Sequence, residues 1–332
     1  MTDIGIIGFG NMGQQMARAF GQIAGVRVAG IAEVAPANLR AAEALGVPAF
    51  TDYRHLLDEI LPDGVYIATP NALHKENVLA AVARHIPILC EKPIALTLAD
   101  ADEMVRAADA AGVPTLVNFI YRFTDAYEQL RAYLTSGQLG DLLACWFRTF
   151  RGYGFYGSGA RHWAVVRPDL SGGWVIHHAI HAADWLVSIG GPVASVAART
   201  FRSTPTAPSP EGIFALLNFA NGAVAHLADS VVGYREHPAG IVGTRGTAVY
   251  DDRSGMVRFR AETGISETGE EVLTPGSQQN YQDAVARHFV AVVRGEVASR
   301  ATLRDGRYAL QVVLAMLKAA EKEAVVRVEE CR

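Results

Sequence analysis

Short apolar runs alternate with helical patterns over the first 120 residues. "IGIIGFG" is a buried-strand pattern that runs into a glycine-rich turn and then the helical "NMGQQMARAF". "VRVAGIAEV" and "GVYIATP" read as strands, and "NALHKENVLAAVARH" as the helix after them. "IPILCEKP", "LADADEMVRAADAAG" and "PTLVNFIYRF" continue the rhythm as strand, helix, strand. Strands that alternate with helices predict a parallel, doubly wound sheet. From Val193 onward the pattern turns strand-rich, and "FALLNFANGAVAHLADSVV" predicts a hairpin turning at Asn221-Gly222. Near the C-terminus "RYALQVVLAMLKAAEKE" carries an apolar stripe, which predicts a helix over about 303–322 packing back on the first domain. The expected organisation is a first domain over 1–121 and a second over 122–332.

Composition narrows the class. The chain has 332 residues, half of them apolar, enough for two cores, and a formal charge of −4. No block of Lys/Arg is interleaved with aromatics, so nucleic acid is not an expected partner. No apolar run reaches the eighteen or so residues of a membrane span. "MTDIGIIGFG" has no basic leader, so no signal peptide is expected. Cys90, Cys145 and Cys331 are few and widely spaced, which fits reduced thiols in a cytoplasm and supplies no cysteine zinc site. "STPTAPSP" reads as a loop.

In an open α/β sheet ligands sit beyond the C-terminal strand ends. Those ends here carry Gly8, Phe9, Gly10, Asn11, Met12 and Gly13, then Glu33, then Thr69-Pro70-Asn71 with His74 after them, then Glu91-Lys92-Pro93, and finally Tyr121-Arg122. Gly8-x-Gly10-x-x-Gly13 between a strand and a helix is the dinucleotide turn. Its first glycine allows the bend, its second the approach of a pyrophosphate, its third close packing of helix on strand. Glu33 stands twenty residues beyond Gly13, where an acid accepts hydrogen bonds from ribose hydroxyls. It should repel a 2′-phosphate, and Val34 follows it, so NAD is the expected cofactor; NADP stays possible through Arg40.

With "ATPNALH", "CEKPIAL", "NFIYRF", "LTSGQLGD", "SGGWVIHHAIHAAD", "GTRG" and "YQDAVARHFVAVVRG" in this order, the chain resembles the Gfo/Idh/MocA family of oxidoreductases nearly end to end. The resemblance implies a nicotinamide-dependent dehydrogenase with a C-terminal α/β domain built on a large, mostly antiparallel sheet. In relatives that sheet often forms an oligomer interface, so a homo-oligomer, dimer or tetramer, is expected. It implies that Lys92 takes the alcohol proton, that the Lys92-Pro93 bond is cis, and that Thr69, Pro70, Asn71, His74, Glu91 and Lys92 line the cofactor. Read from the residues alone, a lysine beside a pocket serves as base when desolvation lowers its pKa, and a solvated strand-end lysine is the alternative.

The stretch Ser171–Trp185 places His177, His178 and His181 within five residues and Asp184 after them. The family's segment reads Asp-x-x-x-His-x-x-Asp; His181 takes its histidine place, Asp184 its last acid, and His177 stands where its first Asp belongs. On an α-helix His177, His181 and Asp184 share one face at i, i+4, i+7, with His178 beside it. A neutral imidazole at 177 would not hold the Lys92 ammonium as a carboxylate does. His177 and His181 are the expected catalytic partners of Lys92. Zinc on two histidines and an acid is the rival reading, and structural histidines a third; no metal is expected. Substrate contacts are expected from Lys92, Tyr121, Arg122, Arg161, Trp163, His177, His178 and His181. Arg148, Arg151 and Arg167 are further candidates for a carboxylate, and Tyr153, Phe155 and Tyr156 for a ring, against the plain alternative of strand faces and a loop. A small sugar-like CH–OH or hemiacetal substrate leads. A ring-cleavage carboxylate of aromatic breakdown, suggested by the triple histidine, and a cofactor-binding sensor without catalysis are the alternatives.

Overall fold

The computed structural model describes residues 1–152, 162–261, 271–275 and 281–331, with 271–275 described by backbone alone. In chain order the elements begin β1 (Thr2–Ile7), α1 (Asn11–Gly21), β2 (Val26–Ala32), α2 (Pro36–Glu43), β3 (Ala49–Phe50), α3 (Tyr53–Glu59), β4 (Gly64–Ile67), α4 (His74–Val82), β5 (Ile88–Cys90), α5 (Leu98–Ala111) and β6 (Thr115–Val117). They continue with α6 (Asp125–Thr135), β7 (Leu142–Phe150), α7 (Trp163–Val166), α8 (Pro168–Ser171), a π-helical turn (Val175–Ala179), α9 (Ile180–Gly190), β8 (Val193–Phe201), β9 (Gly212–Phe219) and β10 (Val224–Ser230). The chain ends through β11 (Ala239–Gly243), β12 (Gly246–Asp251), β13 (Met256–Ala261), β14 (Glu271–Pro275), α10 (Tyr281–Val293), α11 (Leu303–Lys322) and β15 (Val326–Arg327). No helix among the described residues is long and apolar enough to cross a membrane.

Two compact units emerge, Met1–Ile120 with Asn280–Tyr308, and Tyr121–Gln279 with Ala309–Arg332. The first segment of the first unit ends at Ile120, and the second unit begins at Tyr121. The stretch 280–308, expected in the second domain, belongs to the first unit. The reason is packing: Phe289 of α10 meets Phe20 of α1 at 6.3 Å between ring centroids, and Gln282 bonds Gln15.

The first unit holds a six-stranded parallel sheet in the order β3-β2-β1-β4-β5-β6. Its central strands are apolar runs because both faces are covered; Ile4, Ile6, Val65, Ile67, Ile88 and Leu116 are fully buried. The order reverses between β1 and β4, which opens a crevice at their C-terminal ends. Helix α5 shows how sequence sets the ends: Thr97 Oγ1 accepts from Asp100 N, and Gly112 closes it in the left-handed region at φ +63°. The strand expected through Phe123 stops at Val117. Ile120–Phe123 is a 3₁₀ turn, so Tyr121 and Arg122 leave the sheet edge and lie in the second unit.

Among the described residues the second unit holds nine strands in the order β14-β13-β12-β11-β7-β10-β9-β8-β15, of which only β7 and β10 pair in parallel. The Asn221-Gly222 turn joins β9 to β10 as expected, with Gly222 at φ +89° and Asn221 Oδ1 accepting from Ala223 N. Along β9 buried Ile213, Ala215, Leu217 and Phe219 alternate with outward Phe214 and Leu216. Helix α9 packs over β7 and β10 on the inward face.

Candidate functional site

In the first unit the Gly8–Gly13 turn crosses the end of β1. Gly8 sits at φ +91°, and a Cβ there would lie 2.6 Å from the Ala68 carbonyl, so only glycine fits. A Cβ on Gly13 would collide with the Gly8 carbonyl. Gly10 has open space before it and caps α1 with no side-chain acceptor, and the first turn holds no acid. Asn11 and Met12 open that helix, with Asn11 exposed. The first amides of α1 therefore remain available for an anion, which is what a pyrophosphate needs.

Glu33 ties the turn to the end of β2. Its Oε2 accepts from Phe9 N at 2.8 Å, and its Oε1 from Val34 N at 2.7 Å and Ala35 N at 2.8 Å. The carboxylate thus lies beside the glycine turn.

The other strand ends are bound to one another. Thr69 Oγ1 donates to Asn77 Oδ1, Pro70 is exposed, and Asn71 is buried. Lys92, 9% exposed, precedes Pro93 through a cis peptide bond. His74 and Glu91, both expected along the cofactor, are buried and hydrogen-bonded to protein groups. The fully buried His74 ring has Nδ1 2.8 Å from the Pro93 carbonyl and Nε2 2.9 Å from the Thr69 carbonyl. Its two nitrogens span the loops after β4 and β5, so it acts as a tie between them. Burial pushes its pKa below the usual histidine value, against the two carbonyls, which favour the charged ring. Glu91 Oε1 accepts from Tyr66 Oη at 2.6 Å and Asn118 Nδ2 at 2.5 Å, linking β4, β5 and β6. Burial, with Glu91 beside it, pushes the Tyr66 hydroxyl well up.

In the second unit the histidine stretch is a π turn followed by an α-helix and not one continuous α-helix. Val175–Ala179 is a π turn, whose wider winding rotates the side chains before α9 begins. His178 and His181, three residues apart, are ring neighbours, 5.7 Å apart and edge-on. His177 is half-buried and meets Trp163 at 5.0 Å and His162 at 5.6 Å. His181 also meets Tyr121 edge-on at 5.2 Å, and Tyr121 meets Phe147 at 5.0 Å.

Arg122 and His178, both expected at the substrate, are engaged with protein groups. Arg122 gives Nε and Nη2 to the Asp184 carboxylate. The Nε of Arg151 donates to His178 Nε2 at 2.6 Å, so that nitrogen is an acceptor. The His178 proton must then sit on Nδ1, 2.5 Å from Asp229 Oδ2. Asp229 also accepts from Trp174 Nε1 at 2.7 Å and from Thr149 Oγ1. Complete burial nevertheless pushes its pKa up to about 7. His237, near Tyr121, is pushed down to about 3, first by burial and then by Arg151 and Arg235. Arg161, Tyr153, Phe155 and Tyr156 lie outside the described residues. Among the described residues no group of three or more His, Cys, Asp or Glu side chains is placed to hold a metal ion.

Asp229, Trp174, Thr149, Asn118 and His237 escaped the sequence reading. Asp229 left a signal: it shares the inward register of Ala225 and Leu227 on β10, so a carboxylate stands where the alternation calls for an apolar side chain.

The chain matches the family model described as oxidoreductase family, NAD-binding Rossmann fold, over residues 2–119, and the family's C-terminal alpha/beta domain over residues 131–328. It is 30% identical to an inositol 2-dehydrogenase of Streptomyces avermitilis, over 94% of this chain and 90% of that one. It is 29% identical to a 1,5-anhydro-D-fructose reductase of Ensifer adhaerens, over 84% of each. A solved levoglucosan dehydrogenase in complex with NADH and levoglucosan shares the fold at TM-score 0.89 and 22% identity, over 98% of this chain and 99% of that one.

Proposed function

Because the chain belongs to the Gfo/Idh/MocA family of NAD-binding oxidoreductases, we propose that it is an NAD-dependent dehydrogenase acting on a CH–OH carbon of an uncharged, ring-shaped sugar or polyol. The substrate class rests on how the candidate arginines among the described residues, Arg161 not being one of them, are engaged. Arg122 pairs with Asp184, Arg148 with Glu236, Arg167 with Asp169, and Arg151 binds His178. Guanidinium groups already satisfied by protein acceptors favour a neutral substrate over a carboxylate. The relatives named for inositol, anhydrofructose and levoglucosan support this reading, while one named for 2,7-anhydro-N-acetylneuraminate, a sugar acid, points the other way.

The bound nicotinamide supplies the hydride acceptor. In this reading the chain's own groups do the rest. The α1 amides take the pyrophosphate, and Glu33 takes ribose hydroxyls and disfavours a 2′-phosphate. The Lys92 Nζ accepts the hydroxyl proton, and His181 hydrogen-bonds that hydroxyl while His177 and Trp163 line the substrate. The first unit serves the cofactor and the second the substrate. We read the outer face of the large sheet as an interface with a second copy of the chain. Phe214, Leu216 and Val224 are 51, 62 and 47% exposed there, beside Trp146 and His226.

The test is a panel of inositols, aldoses, anhydro sugars, sugar acids and cyclic hemiacetal carboxylates with NAD, read at the NADH absorbance band. Turnover confined to neutral rings supports the reading. Turnover of carboxylates alone overturns the substrate class, and NAD binding with no turnover would favour a sensor.

A further inference from the structure

Within that reading, we propose that Asp229 is a positioning residue of the substrate site: through His178 it holds the π turn that presents His177 and His181. Asp229 lies on β10, His178 on the π turn and Arg151 just after β7, so three elements meet at one imidazole. The ring is fixed on three sides. Arg151 Nε donates to Nε2, Nδ1 donates to Asp229 Oδ2, and one face stacks on Trp174 at 4.6 Å and 11°. Trp174 Nε1 in turn donates to the other oxygen of Asp229. Arg151 Nη2 reaches Tyr121 Oη at 3.5 Å, and Tyr121 and His178 stand edge-on to His181. The two rings that hold His181 are therefore joined through one guanidinium, and the chain of bonds ends on the Asp229 carboxylate.

Proton bookkeeping makes the arrangement directional. Trp174 Nε1 and Arg151 Nε can only donate. His178, accepting at Nε2, must donate at Nδ1, so Asp229 has to accept on both oxygens. An amide at position 229 cannot do so. With its oxygen toward Trp174, its NH₂ confronts the His178 N–H. That forces the other tautomer, and the new Nε2–H then confronts Arg151. With the amide reversed, the NH₂ confronts Trp174. Either way one holder of the π turn is lost. The charged or titratable groups around Asp229 are Arg151, His178 and His237; burial opposes its ionisation, while its hydrogen bonds to Thr149 and Trp174 and the Arg151 charge favour it.

Two measurements on the full chain test this. The first needs no substrate: ¹⁵N NMR of the imidazoles should give His178 as the Nδ1–H tautomer, and Asp229→Asn should move the His178 and His181 signals. An Nε2–H tautomer in the native protein, or unmoved His181 signals in the variant, overturns the proposal whatever reaction the protein catalyses. The second uses a substrate found by the panel. Asp229→Asn should lower kcat about ten- to a hundredfold, the order of effect expected when a catalytic group is misplaced, and leave NADH binding unchanged. Native kcat in a folded variant overturns it. If Asp229→Asn does not fold, Thr149→Val removes only one donor; Asp229 then ionises less readily, and the acid limb of the kcat profile should move to higher pH. An unmoved limb overturns the proposal.

Discussion

Arg122 and Asp184 form a buried fork-to-fork ion pair, with Nε–Oδ2 at 2.9 Å and Nη2–Oδ1 at 2.6 Å on side chains 9 and 2% exposed. It joins the 3₁₀ turn that opens the second unit to helix α9, three residues beyond His181. Removing one member leaves a buried charge uncompensated. Asp184→Ala should destabilise the protein by about 3–5 kcal/mol, whereas replacing both members by apolar residues should cost much less. Urea denaturation of the single and double variants measures the difference. Equal losses would mean that the pair is worth no more than its packing.

Lys92→Ala should leave the fold and NADH affinity intact and lower turnover about a hundredfold or more, the usual worth of a positioned acid/base. Stopped-flow turnover beside NADH fluorescence titration separates the two effects. Near-native turnover would hand the proton to another group, with His181 next to be tested.

Glu33 should set the cofactor. With its carboxylate bonded to Phe9, Val34 and Ala35, a 2′-phosphate meets fixed negative charge. NAD should be preferred over NADP by tenfold or more in kcat/KM, a difference of about 1.4 kcal/mol. Glu33→Ala should narrow that ratio, and a tenfold preference of the native protein for NADP would remove Glu33 from this role.

Acid should unfold the protein through two partly buried histidines. His237 is depressed to about 3 and His288 to about 4, so the unfolded chain takes up their protons first. Their contribution to stability is present above about 6.5 and is lost as pH falls toward those values. Asp229, raised to about 7, has the opposite sign: its contribution is full below about 4 and is lost as pH rises through 7. Each group changes stability by about 1.4 kcal/mol per pH unit at most within its window. Between pH 4 and 6.5 two histidines oppose one carboxyl, so stability should rise with pH. Urea midpoints across this range should fall less steeply toward acid in His237→Asn and more steeply in Asp229→Asn. Identical slopes in all three proteins would refute the assignment.

The outer sheet face should associate. Leu216→Arg places a charge among Phe214, Val224 and Trp146 and should lower the mass found by light scattering. A native protein that already runs as a monomer would end that reading.

What the sequence by itself determined was whatever depends on neighbours along the chain. Glycine spacing, strand-helix alternation and the acid twenty residues on specify the dinucleotide turn, because a bend, an open helix end and a ribose acceptor are built from one βαβ segment. The Asn221-Gly222 hairpin was legible for the same reason. Tertiary structure alone decided which polar side chains face one another. Nothing beside His74 in the sequence marks the two carbonyls, from the loops after β4 and β5, that meet its ring. His178 stands three residues before His181 and can approach it along any helix, but the π turn at Val175–Ala179 that carries His178 left no mark in the sequence pattern. The register of that turn goes with contacts to Asp229 and Arg151, 51 and 27 residues away, and side-chain spacing along one helix carries no record of such partners.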